Sequence, residues 1–160
     1  VWVYISVTIT STLDKHEEGY TIISPDKTVK WKKVIIGFVD DKRQYANDWN
    51  TNSLLTASTN LQQAAQSWEH LLHTSGGKLE LTKCAWYCIS WQFNPDGTPS
   101  MSNNTSHKIV LLDSATQQLH TIQQLPINIP FKYLGTESTP LGTTDHQFNS
   151  SKNRHYEEQG

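Results

Sequence analysis

The sequence predicts an α+β fold, helices packed on an antiparallel sheet, from three observations. From about Ser58 to Thr74 the apolar residues Leu61, Ala64, Ala65, Trp68, Leu71 and Leu72 recur at the spacing of a core-facing helical stripe, and Ser75-Gly76-Gly77 closes it. At Val34-Ile35-Ile36-Gly37-Phe38 a run of strand formers drives into Val39-Asp40-Asp41, with Lys42-Arg43 at once behind, which outlines a hairpin. The order of the remaining elements, helix, hairpin, helix, then several short strands, is that of an α+β chain.

Taken in order, Val1–Leu13 is rich in β-branched residues, and propensity alone makes it a strand. Yet Trp2, Ile5, Ile9 and Leu13 also fall on one helical face. Gly19 is a candidate helix terminator, and Ser24-Pro25-Asp26 is a turn between two minor strands, Tyr20–Ser24 and Val29–Trp31. The central hairpin is expected as a strand from Val34 to Phe38, a turn over Val39–Asp41 and a return strand through Tyr45. Asp48–Thr59 reads as a polar loop entering the long helix. After the helix, Leu79–Phe93 has strand character and Asn94-Pro95-Asp96-Gly97 is a strong turn signal. Met101–Ser106 reads as polar loop. Two strands, Lys108–Leu112 and Leu119–Gln124, flank a turn at Asp113-Ser114-Ala115-Thr116, and Phe131–Leu134 is expected as the last strand. From Gly135 onward few residues could bury much surface, so the sequence divides into a folded part, 1–134, and a polar tail, 135–160, expected to be disordered or to continue into a missing region.

Composition narrows the function. With 36% apolar residues and a mean hydropathy of −0.56, long polar stretches dilute a smaller packed region. The net charge of −2 argues against a free-standing nucleic-acid binder. The charge is unevenly spread, however: Lys27, Lys30, Lys32, Lys33, Lys42 and Arg43 place 6 of the 13 basic residues in one 17-residue window around the Asp pair. Such a window suits contact with a phosphate backbone, although lysine runs are commonly just solvated faces. Cys84 and Cys88 make no disulfide framework and count as small apolar residues on one side of a strand. No secretory signal or membrane-spanning run is legible, so an intracellular protein without a membrane partner is expected. The chain opens without Met inside what reads as an ordered element, which implies a piece of something longer.

The chemistry-bearing pattern is Asp40-Asp41. Adjacent carboxylates repel unless a cation sits between them, and magnesium is the usual hard divalent ion. A surface turn that merely holds two Asp would have the same spacing. His70 and His73, three apart on the helix after Glu69, lack a third ligand at a zinc-like distance. No nucleophile elbow, dinucleotide fingerprint or phosphate-cradling glycine loop occurs.

Several segments in order resemble the palm of reverse transcriptases from retrotransposons, particularly the non-LTR-like elements of diatoms and related protists. Phe38-Val39-Asp40-Asp41 is similar to the family's aromatic-x-Asp-Asp motif. After it come Ala65-Gln66-Ser67-Trp68-Glu69-His70-Leu71-Leu72, Ser75-Gly76-Gly77-Lys78-Leu79-Glu80-Leu81-Thr82-Lys83-Cys84, Trp91-Gln92-Phe93, Asp96-Gly97-Thr98-Pro99 and Phe131-Lys132-Tyr133-Leu134-Gly135. The resemblance implies a helix over Val1–Leu13 and a partial polymerase palm. It implies RNA-directed DNA synthesis with Mg2+ (or Mn2+) held by Asp40 and Asp41. Lys83 stands where the family has a lysine proposed to protonate the leaving pyrophosphate. Phe131, Lys132, Tyr133, Leu134 and Gly135 resemble the segment that grips the primer. Implied partners are an RNA template, a DNA primer, deoxynucleoside triphosphates and the rest of the polymerase polypeptide. The family's other essential carboxylate and its template-positioning glycine segment lie upstream of the matched part, so the isolated chain is expected to be inactive. A rival of another class is a non-catalytic relic or interaction module with no metal site.

Overall fold

A computed structural model describes residues 2–38, 41–47, 53–103, 107–133 and 136–142. The chain divides into two compact units. The first takes in Val1–Ala85 and Ser106–Gln123, and the second takes in the described residues of Trp86–Thr105 and Gln124–Gly160.

The first unit opens with helix α1, Trp2–His16. Strand propensity loses here to the apolar stripe: Ile9 and Leu13, four apart, are buried in the core, where a helix brings both to one side. Lys15 and His16 stand in the last turn, where positive charge suits the exposed carbonyls of the helix end. Strands β1, Tyr20–Ile23, and β2, Lys30–Lys33, pair antiparallel, as the turn signal at Ser24-Pro25-Asp26 predicts. The Asp26 carboxylate accepts hydrogen bonds from the Ser24 hydroxyl and from the amide and hydroxyl of Thr28, which hold its pKa below the ordinary value. Strands β3, Ile35–Phe38, and β4, Asp41–Gln44, form the next antiparallel pair.

Helix α2 runs Leu54–Thr74, four residues longer at its start than the stripe predicts. Ser53 caps it by accepting the amide of Thr56. Ser58 and Thr59, which read as loop formers, instead turn their hydroxyls back onto the Leu55 carbonyl inside the helix. At the far end the amides of Gly77 and Gly76 reach the carbonyls of Leu72 and His73, and Gly76 has φ +85°. That is the paired-bond glycine cap expected from Ser75-Gly76-Gly77. Ile9 and Leu13 of α1, Val34 and Ile35 of the β3 segment, and Ala64, Trp68 and Leu72 of α2 make one buried cluster, with Leu71 and Leu79 against it.

The strand expected over Leu79–Phe93 is broken. A 3₁₀ turn at Leu81–Lys83 comes first, then β5, Ala85–Trp86, and β6, Ile89–Phe93. The Lys83 amide bonds back to the Glu80 carbonyl and the Thr82 hydroxyl to the Glu80 carboxylate, local bonds that compete with extended pairing. The segment read as polar loop from Met101 is instead the end of β7, Pro99–Asn103, which pairs with β6 across a turn where Gly97 has φ +83°. Strands β8, Ile109–Leu112, and β9, Leu119–Gln124, pair around Asp113 as expected.

In the second unit β10, Phe131–Tyr133, pairs with β11, Thr136–Ser138. Thr136–Ser138 falls in what the sequence reads as polar tail. Its backbone finds a partner in β10 despite a sequence with little apolar surface to bury. The α+β class holds, but the pairs β1–β2, β3–β4, β6–β7 and β10–β11 are each separate two-stranded sheets rather than parts of one. Residues 143–160 of the expected tail lie outside the described residues. Among the described residues, no helix is long and apolar enough to cross a membrane.

Candidate functional site

The candidate site is the β3–β4 hairpin, and the geometry begins at its base. Val34 and Ile35 are 0% exposed, so the strand enters from the core of the first unit. Asp14 of α1 fastens this entry twice. Its carboxylate accepts the Val34 amide at 3.0 Å and pairs with the Lys33 ammonium. On the return strand the Tyr45 amide donates to the Val34 carbonyl at 2.8 Å, and Gln44 Nε2 reaches the Ala64 carbonyl of α2 at 3.3 Å. The Lys42 ammonium lies 5.8 Å from the Trp68 ring centroid, a cation–π distance. Both legs of the hairpin are therefore tied to helices.

The register pairs Ile35 with Gln44, Ile36 with Arg43, Gly37 with Lys42 and Phe38 with Asp41. Asp41 is thus the first residue of the return strand, where the sequence reading had it in the turn. Phe38 opposite Asp41 leaves only Val39 and Asp40 between the strands, and those two lie outside the described residues. Asp41 begins β4, and Asp40, its neighbour in the chain, lies outside the described residues. Two adjacent carboxylates could hold a hard divalent ion, though two ligands alone leave magnesium most of its water. Among the described residues, no group of three or more His, Cys, Asp or Glu is arranged to hold a metal.

Lys83, expected near the chemistry, is exposed on the 3₁₀ turn of the first unit. There it helps keep the Glu80 carboxyl below its ordinary pKa, after the larger effects of the Thr82 hydroxyl and Lys78. Phe131, Lys132 and Tyr133 form β10 in the second unit, with Phe131 half-buried and Lys132 exposed. Leu134 and Gly135 lie outside the described residues. Asp41 and Lys83 thus belong to the first unit and the primer-grip-like strand to the second.

The basic window divides into anchored and exposed lysines. Lys33 pairs with Asp14 of α1, and Lys32 donates at 3.0 Å to the carbonyl of Glu17, the residue that follows α1. Lys27 and Lys30 are exposed. Burial raises the pKa of both thiols, with Glu80 adding to the effect at Cys84, so neither cysteine is primed as a nucleophile. Glu69 is buried and accepts the amide and hydroxyl of Ser114, while His70 and His73 are exposed.

Sequence reasoning missed Asp14, Glu17 and the glutamine pair Gln62 and Gln66, because polar residues on a helix carry no mark of whether they face water or a strand. Compared with known proteins, the chain matches no family model, no curated protein and no solved structure.

Proposed function

We propose that this chain is the later part of a reverse transcriptase palm, with the β3–β4 hairpin as the element that carries its metal-binding carboxylates. What supports the reading is the register of that hairpin: Phe38 faces Asp41 across two residues, on strands rooted in a helix-backed core. Asp40 and Asp41 would bind Mg2+ or Mn2+, and when bound the two-metal arrangement of polymerases activates a primer hydroxyl and neutralises the leaving pyrophosphate. Lys83 is proposed as the proton donor to that pyrophosphate, and Phe131–Gly135 as the primer-contacting segment. The partners would be a primed RNA template and deoxynucleoside triphosphates.

A third carboxylate from another strand is needed to hold both ions rigidly, so the 160 residues alone should not extend a primer. The test is incorporation of labelled deoxynucleotide on a primed RNA template with magnesium, for this chain and for a fusion to a matching upstream palm and fingers. The fusion should extend the primer, and Asp40→Asn should abolish extension. Extension by the chain alone that survives Asp40→Asn would show the site to be elsewhere. A fusion that binds template and primer but incorporates nothing would favour the non-catalytic module, which draws its support from the use of Lys32 and Lys33 as internal anchors.

A further inference from the structure

The β6–β7 hairpin has one apolar and one polar face. Ile89, Trp91 and Phe93 alternate along β6, and the register sets Trp91 opposite Met101 and Phe93 opposite Pro99. On the other face Ser90 lies opposite Ser102, their hydroxyls 2.5 Å apart, and Gln92 lies opposite Ser100. The apolar face is open: Ile89 is 43% exposed, Trp91 58% and Phe93 76%. Among the described residues the two strands form a sheet of their own. A lone two-stranded ribbon is marginal in water and gains from further strands.

The alternation of ladder bonds shows which backbone groups face outward. The Asn94 amide donates to the Thr98 carbonyl at 2.9 Å, so the bonded pairs of the ladder are Asn94–Thr98, Gln92–Ser100 and Ser90–Ser102. The amides and carbonyls of Ile89, Trp91 and Phe93 therefore point away from β7. The outer edge of β7 begins at Pro99, which has no amide to donate. The edge of β6 has no such guard: Ile89-Ser90-Trp91-Gln92-Phe93 contains no lysine, no proline and no charge. Asp96, the one charged residue in 89–103, is in the turn and accepts the amide and hydroxyl of Thr98.

We propose that the open edge of β6 pairs with β6 of a second copy, antiparallel about Trp91, to make one four-stranded sheet. The strand is its own complement. With Trp91 at the two-fold axis, Phe93 of each copy lies opposite Ile89 of the other, and Ser90 lies opposite Gln92. Aromatic and β-branched side chains then meet on one face, polar ones on the other, and no like charges come together. The outward amides and carbonyls of the two strands also match. A five-residue strand spans about 17 Å, which places the contact among small, transient interfaces. The pairing does not rest on the polymerase reading, because it uses neither Asp40 nor Asp41.

The test is sedimentation velocity of the full chain from about 5 to about 500 μM, a range that suits a weak dimer. The unaltered chain should pass from monomer to dimer across it. Trp91→Lys sets two ammonium groups against each other at the axis and should weaken the dimer about tenfold or more. Met101→Lys, on the same face but away from the paired edge, should leave it within about twofold. Amide exchange on the unaltered chain needs no variant to fold. Trp91 should exchange more slowly as concentration rises, and by a larger factor than Gln92, whose amide already faces β7. A chain that stays monomeric throughout the range would overturn the proposal. So would a dimer that survives Trp91→Lys, or one whose Trp91 amide exchanges as fast as in the monomer. Equal loss in Trp91→Lys and Met101→Lys would also overturn it, since the contact would then be made by the apolar face and not by the edge.

Discussion

Asp14 shows how much one side chain can decide. Its two oxygens take the Val34 amide and the Lys33 ammonium at the point where β2 hands over to β3, so one carboxylate sets where the candidate hairpin leaves the core. Gly19, which reads from sequence as a helix terminator, is constrained by proximity instead. A Cβ there would collide with the backbone carbonyl of Lys33. Gly19→Ala should therefore force the start of β1 away from β2 and lower the melting temperature, whereas Gly97→Ala, with open space around the position, should act only through its positive φ. Trp68 is the third decisive residue. It is 4% exposed and contacts both the core and Lys42, so Trp68→Ala should cost about 3–5 kcal/mol in denaturant unfolding, mainly through the cavity left behind. A loss well under 1 kcal/mol would remove Trp68 from the core.

At the scale of elements, α2 acts as a strand as well as a helix. Gln62 accepts the amide of Val110, Gln66 accepts the amide of Leu112 and donates to its carbonyl, and Glu69 accepts the amide and hydroxyl of Ser114. The repeats nearly match. Four helical residues advance about 6 Å, and two strand residues advance about 6.6 Å. Side chains three and four apart on α2 can thus meet alternate backbone groups of β8 and its continuation. A line of polar residues, indistinguishable by type from a solvated helix face, closes the edge of a strand. Gln66→Leu should leave the amide and carbonyl of Leu112 without these partners and cost about 1–3 kcal/mol. Gln63→Leu, at an exposed position on the same helix, should change stability by less than about 0.5 kcal/mol. Amide exchange at Leu112 offers a local readout, with faster exchange expected in Gln66→Leu alone.

For the whole molecule, acid is the informative variable, because three turns are each held by an aspartate. Asp26 is stabilised first by the Ser24 hydroxyl, Asp96 by the Thr98 hydroxyl and Asp113 by the Ala115 amide, and each pKa falls below its ordinary value of 3.8. A pKa lowered on folding means the unfolded chain takes up protons first. The contribution is complete above 3.8 and is lost as pH falls through the lower folded value. Melting temperature should therefore hold steady toward pH 4 and fall below it. Asp113→Asn should melt lower at neutral pH and lose less on acidification, because it has no such carboxylate to protonate. An unchanged acid slope in Asp113→Asn would show that the Asp113 turn contributes nothing to it.

By itself the sequence determined whatever depends on local spacing. The apolar stripe and glycine cap of α2 are legible because a helix repeats every few residues and must end in particular backbone conformations. The strands of the β1–β2, β3–β4 and β8–β9 hairpins are legible for the same reason, since a turn and its flanking strands are neighbours in the chain. The nearness of Asp40 to Asp41 needs only their adjacency. Tertiary structure decided the rest. It made α1 a helix against its strand propensity, because Ile9 and Leu13 find Trp68 and Val34 to pack on. It turned Lys32 and Lys33 from a presumed phosphate-facing surface into anchors on the end of α1 and the residue after it, and it set Gln62 and Gln66 against β8 and Glu69 against the turn that follows. The hydrogen bonds among these join residues 15 to 48 positions apart. At such separations residue type says only that a lysine or glutamine will find a polar partner, and the packing of the core selects which one.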